Sequence, residues 1–372
     1  MSQLKICHIT TVHNEGDIRI FHKMCVSLAA DSGNQVFLIV PNATSRIEQG
    51  VEILSFLSDT ENRKVRIKKA GQKALEIAKT LKADIYHLHD PELLTIALKL
   101  KKYTRAKVIF DSHEDVPKQL LDKIWIPSYQ RNLLSKIYKR YERHVCARID
   151  GVISVTPIIC DRFRKIQKNV ELIANYPDLS ELTFPDKKSG FSKTICYLGG
   201  IFKTRGIIEL VQALEETDIN LLLAGTFESE ELKHQVMSLP GWKNVTYFGQ
   251  VDRKEIKIIL HKSEIGIVTL HPTKSYLESY PIKLFEYMAA GIAILASDFP
   301  FWRTLTDPAQ CANYVDPTNA NEIRAVLIEM LDNAEETRQK GSNGKLAVHS
   351  FYNWKSEYEK LQSFYRKLID NQ

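Results

Sequence analysis

The sequence has 372 residues, of which 44% are hydrophobic, so it is long and apolar enough for two globular domains, and its composition excludes a disordered chain. Its six cysteines are scattered without metal-ligand spacing, which predicts no metal site and a reduced, cytoplasmic compartment. The net charge of +6 lies in the first half, since residues 1–178 carry 29 Lys and Arg against 20 Asp and Glu, while residues 179–372 carry 22 against 25. No motif interleaves basic and aromatic residues on strands, so we expect no nucleic-acid partner.

Two further features bear on the membrane. The first ten residues lack the apolar core of a signal peptide, and no apolar run reaches the roughly 18 residues of a membrane span. We therefore expect no integral membrane segment.

The first half alternates apolar, strand-like runs with helical stretches, which predicts a doubly wound α/β domain. The predicted strands are 4–10, 36–40, 51–57, 84–88, 107–110, 151–155 and 170–173, with helices at 66–82 and 91–102. The loop after the first strand has no G-x-G-x-x-G fingerprint, which argues against a nicotinamide or flavin dehydrogenase. Asp17 is predicted to cap a helix that ends near Gly33.

Two of these strands end in ionisable residues, at 86–90 (Tyr-His-Leu-His-Asp) and 111–115 (Asp-Ser-His-Glu-Asp). The carboxyl ends of parallel strands meet at one edge of a sheet, so both groups should point into the same crevice. We expect His87, inside its strand, to make a structural hydrogen bond.

Residues 128–148 form a predicted basic helix, with Leu134, Ile137 and Tyr141 on one face and Trp125 just before it. Its cations are Arg131, Lys136, Lys139, Arg140 and Arg143. One interpretation is a surface that binds anionic membranes. The other is a solvated helix that packs on the sheet through its apolar stripe, and the two are compatible.

A polar, turn-rich stretch at 175–190 is the predicted linker. A second Rossmann-like domain follows, with the loop Gly-Gly-Ile-Phe-Lys-Thr-Arg-Gly at 199–206 suited to phosphate. Its predicted strands are 194–198, 221–225, 245–249, 265–270 and 293–297, and 354–368 is an amphipathic helix.

The stretch 278–291 carries the clearest chemistry. Pro281 stands where a first helical residue belongs, and Gly291 where a glycine should close the helix. The helix N-terminus and Lys283 then offer a site for a phosphate or diphosphate. Glu278 and Glu286 can accept hydrogen bonds from hydroxyls on either side, the pattern of groups in a nucleotide sugar. Two glutamates eight apart also recur by chance.

Three features of this region occur together: the pair Glu278/Glu286, the run Pro-Ile-Lys-Leu-Phe-Glu-Tyr-Met-Ala-Ala-Gly at 281–291, and Ala-Ser-Asp-Phe-Pro at 296–300. In these features the chain resembles retaining glycosyltransferases of family four. The resemblance extends more loosely over nearly the whole chain. It implies a GT-B fold, with an acceptor-side domain at 1–178, a nucleotide-sugar domain at 179–350 facing it across a cleft, and a final helix, 351–372, returning to the first domain.

The resemblance also implies site residues. The catalytic candidates are His113, Glu278 and Lys283. The donor-binding candidates are Gly16, Gly200, Lys203, Arg205, Val251, Ile282, Lys283, Leu284 and Glu286. The acceptor-side candidates are His13, Asp17, Arg19, Asp90 and Glu114, and for Asp17 a helix-capping role is an equal alternative. The family usually has an arginine where this chain has Gly200, and a lysine where it has Arg205.

The function implied is a retaining, metal-independent glycosyltransferase without a cofactor. We expect it to move a sugar from a nucleotide sugar, a UDP-sugar, to a lipid-linked or saccharide acceptor in bacterial surface-polysaccharide synthesis, at the inner face of the plasma membrane. The absent arginine at Gly200 leaves a noncatalytic partner subunit as one alternative, and a nucleotide-sugar epimerase of similar architecture is the other.

Overall fold

The computed structural model describes residues 3–31, 33–58, 63–123, 126–180 and 190–370. The chain divides into two compact units, the first formed by Met1–Asn175 with Lys355–Gln372 and the second by Tyr176–Trp354. Each is built on its own mainly parallel sheet. The predicted linker, 175–190, lies partly outside the described residues, as does Trp125.

Within the described residues the first sheet has eight strands in the order β3-β4-β2-β1-β5-β6-β7-β8. Every pairing is parallel except that of β3 with β4. The strands are β1 (Lys5–Ile9), β2 (Gln35–Pro41), β3 (Arg46–Glu48), β4 (Val51–Phe56), β5 (Ile85–Leu88), β6 (Lys107–Ser112), β7 (Gly151–Ser154) and β8 (Val170–Leu172). The mostly apolar, buried runs of β1, β2, β5, β6 and β7 are typical of parallel strands covered on both faces.

The helices of this unit follow the strands in alternation. They are α1 (Val26–Ala30), α2 (Arg63–Leu81), α3 (Leu94–Thr104), α4 (Val116–Asp122), α5 (Ser128–Cys146) and α6 (Pro157–Arg164). A π-helical turn, Ile18–Cys25, leads into α1, and Asp17 caps it by accepting from the amides of Arg19 and Ile20, as the sequence predicts.

In the described part of the second unit, the sheet has six strands in the order β11-β10-β9-β12-β13-β14, all parallel. They are β9 (Thr194–Leu198), β10 (Asn220–Ala224), β11 (Val245–Gly249), β12 (Ile265–Val268), β13 (Ala293–Ser297) and β14 (Ala312–Val315). The helices are α7 (Ile207–Ala213), α8 (Glu230–Met237), α9 (Arg253–Lys262), α10 (Ile282–Ala290), α11 (Pro300–Thr306), α12 (Ala320–Asp332) and α13 (Ala334–Ser350).

The last helix, α14 (Trp354–Asp370), belongs to the first unit from Lys355 onward. A Cβ on Gly151 of β7 would lie 2.7 Å from the Phe364 ring, so this glycine lets α14 approach the strand closely. The Tyr365 hydroxyl lies 2.5 Å from His87 Nδ1, which is the structural hydrogen bond predicted for that strand histidine.

Helix α5 contradicts one expectation. Its packed face is Tyr138, Glu142, Val145 and Cys146, and the Glu142 carboxylate pairs with Arg162. The residues predicted to pack are exposed instead, together with others on α5. Their exposed fractions are Leu134 40%, Ile137 56%, Tyr141 37%, Leu133 60% and Tyr129 76%. Among the described residues, no helix is both long and apolar enough to cross a bilayer.

Candidate functional site

Helix α10 occupies the predicted segment, with two differences from the prediction at its N-terminal end. Pro281 has ψ 120° and is the N-cap, so the helix begins one residue later, at Ile282. Gly291 closes the helix with φ 66°, the left-handed conformation expected of a glycine there. Glu278 ends a short 3-10 turn, Tyr276–Glu278, and does not lie in open loop.

Lys283, in the first turn of α10, is buried without a hydrogen-bond partner for its ammonium among the described residues. Its Nζ lies 3.7 Å from the centre of the Tyr197 ring on β9. Burial and, to a smaller extent, the nearby charge of Arg205 lower the pKa of Lys283 to about 7 against the opposing charge of Glu286. An anion bound here would supply the counter-charge that Lys283 lacks.

Arg205 supplies a second cation near Lys283. Its Nη1 donates to the Gly200 carbonyl at 3.1 Å, and its Nε is buried without a partner in the described part of the chain. The same Nη1 lies 3.5 Å from the position a Cβ on Gly200 would take. The guanidinium of Arg205 therefore fills space near the point where the resembling family carries its own arginine.

Gly206 makes this loop possible. Its φ is 70°, and a Cβ there would lie 2.1 Å from the Thr269 carbonyl oxygen, so only glycine fits. It ends the 3-10 turn Lys203–Arg205 and begins α7. The side chain of Lys203 is exposed, while its amide donates to Glu228 at 2.9 Å.

The amides at the start of α10 differ in one respect from the prediction. The Leu284 N–H donates to the Pro281 carbonyl at 3.0 Å and is not free for a ligand, because the turn closes on itself. Within the described residues the Ile282 and Lys283 amides have no acceptor. These two N–H groups are therefore available to donate hydrogen bonds to an anion, which the helix dipole also attracts.

The remaining donor-side candidates lie on several different elements of the fold. Glu278 and Glu286 are both half-buried, and Glu286 lies one turn into α10. Val251 is half-buried in the loop between β11 and α9. Gly16 belongs to the first unit, where its amide donates to Asn14 at 3.1 Å.

In the first unit the ionisable residues at the ends of β5 and β6 lie in contact, as predicted. Asp111 of β6 is fully buried and accepts from Arg19 Nε and Nη2, both at 3.0 Å. His113 Nε2 and His89 Nδ1 lie 3.2 and 3.5 Å from Asp111 Oδ2. Burial favours the neutral acid, but the charges of Arg19 and His113 outweigh it and hold the pKa of Asp111 well below its usual range. Arg19, predicted as an acceptor-side residue, therefore forms a bidentate ion pair with Asp111.

The loop after β1 is tied to the same edge. His13 Nδ1 lies 2.8 Å from Asp17 Oδ2, and this hydrogen bond raises the pKa of His13 against partial burial. Partial burial raises the pKa of Asp17, but the bonds from His13 and the Ile20 amide overcome it and lower that pKa. Asp90 Oδ2 accepts from the Thr11 amide at 2.5 Å, so this carboxylate holds the loop. Asp17 is both cap and His13 partner.

Glu114 is exposed, and its carboxylate accepts a hydrogen bond from Gln119. The motif at 111–115 predicts roles for His113 and Glu114 and none for Asp111, which is the centre of the cluster in the structure. Tyr197, beneath Lys283, carried no local signal, because only the pairing of β9 with β12 and the packing of α10 place it there.

Comparison with known proteins assigns the family. Residues 181–347 match the model of the group 1 glycosyl transferases, and residues 16–181 match that of glycosyltransferase family 4. The chain belongs to this glycosyltransferase family. That confirms the resemblance drawn from 278–300.

Two curated relatives are mannosyltransferases. The chain is 25% identical over 171 residues to an MMP alpha-(1->4)-mannosyltransferase of Mycolicibacterium hassiacum, covering 44% of this chain and 40% of that protein. It is 22% identical over 287 residues to a phosphatidyl-myo-inositol mannosyltransferase of Mycolicibacterium smegmatis, covering 73% and 68%.

Solved structures confirm the predicted GT-B fold of this glycosyltransferase. A sucrose-phosphate synthase from Thermosynechococcus elongatus superposes with a TM-score of 0.80 at 17% identity, covering 100% of both chains. Anabaena HepE, solved in complex with UDP, superposes with a TM-score of 0.71 at 12% identity, covering 97% of this chain and 99% of its own.

Proposed function

We propose that this glycosyltransferase is a retaining, metal-independent enzyme that transfers a sugar from a UDP-sugar to a lipid-linked or saccharide acceptor. One observation carries the donor class: two cationic side chains, Lys283 and Arg205, each hold a buried nitrogen without a partner among the described residues, beside the first turn of α10. Burying such nitrogens unpaired is unfavourable, and a diphosphate would satisfy both.

The same groups fit the chemistry of sugar transfer. When the bond between the sugar and the diphosphate breaks, negative charge grows on the leaving phosphate oxygens. Fixed positive groups in a dry site stabilise that charge without the reorganisation that water would need. Lys283, Arg205 and the amides of Ile282 and Lys283 are such groups, and they take the role that a divalent ion plays in metal-dependent enzymes.

The hydroxyls of the donor find acceptors on either side of the phosphates. Glu286 lies one turn inside α10 and Glu278 precedes the helix. We assign Glu286 to the ribose hydroxyls and Glu278 to those of the transferred sugar, because a carboxylate accepts bonds from two neighbouring hydroxyls. The complex of Anabaena HepE with UDP supports a uridine nucleotide.

For the acceptor we propose a lipid-linked substrate at an anionic membrane, reached through α5. Leu133, Leu134, Ile137 and Tyr141 are exposed on this helix, next to exposed Lys136, Lys139, Arg140 and Arg143. Exposed apolar residues beside cations are typical of helices that lie in the membrane interface. The phosphatidyl-myo-inositol mannosyltransferase among the relatives acts, by its name, on a lipid.

The proposal is tested by binding and by product stereochemistry. UDP, GDP, ADP and their glucose conjugates are titrated by calorimetry in the presence of a chelator, and we expect UDP and UDP-glucose to bind. Lys283→Met should weaken this binding while the exposed Lys243→Met keeps it. NMR of the anomeric proton identifies retention in the product. Binding that requires a divalent ion, or an inverted product, contradicts the mechanism.

A further inference from the structure

The histidines of the first unit form a chain of contacts around one carboxylate. Asp111 Oδ2 receives Arg19 Nε at 3.0 Å and lies 3.2 Å from His113 Nε2 and 3.5 Å from His89 Nδ1. His89 Nε2 in turn lies 2.8 Å from His8 Nδ1. His8, His89 and Asp111 are buried, and the side chain of His113 is 19% exposed.

The charge of Asp111 decides where the protons are. An ionised carboxylate only accepts hydrogen bonds, so we assign the nitrogens of His113 and His89 that face Asp111 as N–H donors to it, and not as partners of each other across the 3.4 Å between them. His113 is then protonated at Nε2 and His89 at Nδ1. In a neutral imidazole the other nitrogen is bare, so His89 Nε2 accepts from His8, which must carry its proton on Nδ1.

His113 differs from the other two rings in what its second nitrogen does. Its Nδ1 makes no hydrogen bond to any described residue, and the side chain is the partly exposed member of the chain. When the His113 ring is neutral, the lone pair of Nδ1 is a free acceptor, with no donor among the described residues. A hydroxyl of a sugar ligand is a donor that fits it.

We propose that Asp111 is a positioning residue, which fixes the ring and tautomer of His113 so that Nδ1 accepts a hydrogen bond from a hydroxyl of the sugar substrate. Arg19 holds the carboxylate in place through both oxygens, and His89 and His8 fill the space behind it. This inference rests on the proposed sugar-transfer function for its ligand, but its tautomers belong to the free protein.

A bound transition metal is the competing explanation of the same geometry. The ligand atoms of His89, Asp111 and His113 lie 3.2 to 3.5 Å apart, a spacing that suits tetrahedral coordination. Arg19 disfavours it, because its guanidinium occupies both carboxylate oxygens and repels a second cation in a buried site. The two explanations predict opposite protonation of His89 Nδ1 and His113 Nε2, since a metal needs the lone pair at each.

The deciding experiment is ¹⁵N NMR of the full chain labelled at its histidines, with resonances assigned from the variants His8→Gln, His89→Gln and His113→Gln. Above the pH at which the rings are neutral, we expect protonated Nδ1 in His8 and His89 and protonated Nε2 in His113. Free imidazole in water favours the Nε2 proton, so protonated Nδ1 in His8 and His89 would differ from the tautomer of an exposed histidine. Protonated Nε2 in His89, or zinc binding that removes both protons, overturns the inference.

A kinetic cycle tests the role of Asp111 separately, with release of UDP from UDP-glucose as the probe reaction. Asp111→Asn should lower turnover roughly 10- to 100-fold, as loss of an orienting partner does, with KM changed little. The double variant with His113→Ala should be no worse than His113→Ala alone, because Asp111 acts through His113. Additive losses contradict the inference.

The matched control is Asp150→Asn. The Asp150 carboxylate pairs with Lys101 at 2.9 Å and makes no contact with the histidines of the cluster among the described residues. Its effect on turnover should be independent of His113. If the parent releases no UDP, the proposed donor is wrong, whereas the NMR result still decides the tautomers.

Discussion

The ammonium of Lys283 lies 3.7 Å from the centre of the Tyr197 ring, and no described residue offers it a hydrogen bond. The aromatic face compensates part of the cost of burying the charge. It does not replace a counter-ion, and the pKa of Lys283 accordingly falls to about 7. Binding of an anion would therefore stabilise the charged form of Lys283.

The first prediction is that Lys283→Met weakens binding of UDP. Charge-assisted hydrogen bonds contribute about 1.5 to 3 kcal/mol each, so the dissociation constant should rise roughly ten- to a hundredfold. Methionine is apolar and suits the buried position, so the melting temperature should be unchanged or higher. Calorimetry measures the affinity, with the exposed Lys243→Met as control. Unchanged affinity would move the phosphate site elsewhere.

The second prediction is a pH dependence. A bound phosphate raises the pKa of Lys283 from about 7, so at higher pH the binding of UDP takes up a proton. Affinity should therefore fall as the pH rises above about 7. Titrations in buffers of different ionisation enthalpy count the protons. Since UDP also titrates, the contribution of Lys283 is the difference between the parent and Lys283→Met, and no difference contradicts the assignment.

The third prediction is that Glu286→Gln weakens binding of UDP-glucose without unfolding the protein. The carboxylate should accept ribose hydroxyls, and the neutral amide forms weaker bonds, a loss of about 1 to 2 kcal/mol. Glu329→Gln, on the exposed side of α12, is the matched control. The variant is compared with the parent by calorimetry and thermal melting. If Glu286→Gln binds UDP-glucose as tightly as the parent does, Glu286 is not a donor-binding residue.

The fourth prediction is that His113→Ala impairs turnover far more than donor affinity. His113 lies on the first unit, whereas the proposed phosphate site is built from residues of the second. Steady-state kinetics and UDP calorimetry separate the two effects. His144→Ala, an exposed histidine of α5, should change neither. Parallel losses of turnover and affinity would identify His113 as a donor or folding residue.

The fifth prediction concerns α5. Binding to phosphatidylglycerol vesicles should weaken when Lys136, Lys139, Arg140 and Arg143 become serine. Each cation near an anionic surface contributes about 1 kcal/mol, and the attraction is screened beyond about 10 Å at 0.1 M salt. Added salt should therefore weaken binding steeply, while UDP affinity stays the same.

The apolar residues of α5 allow a second variant. Ile137→Ser should lower vesicle binding without removing charge, because this exposed side chain would enter the interface. A matched control replaces Lys243, Lys254, Lys257 and Lys274 of the second unit by serine, which removes the same charge elsewhere. Sedimentation with vesicles measures each variant. Binding that is insensitive to salt, or equal loss in the control, would leave α5 as an ordinary solvated helix.

Local sequence determined much of this protein. The strands 194–198 and 293–297 have the bounds predicted for them, because a parallel strand buried on both faces needs a continuous apolar run. The edge strand 245–249 also has its predicted bounds, although none of its residues is fully buried. The cap at Asp17 and the left-handed Gly291 were also predictable, since both depend on the chemistry of a few adjacent residues. The segment 278–300 was sufficient to indicate the family.

Tertiary structure alone decided the rest. Periodicity places Leu134, Ile137 and Tyr141 on one face of α5, but the buried face lies about a quarter turn around the helix. There Glu142 pairs with Arg162, a contact twenty residues away in sequence. Arg19 reaches Asp111 across 92 positions, and no local pattern predicts such a pairing. The position of Arg205 beside Gly200 likewise depends on the tight approach of Gly206 to Thr269. Local sequence fixes which side chains share a face, whereas the long-range packing of the chain fixes what that face meets.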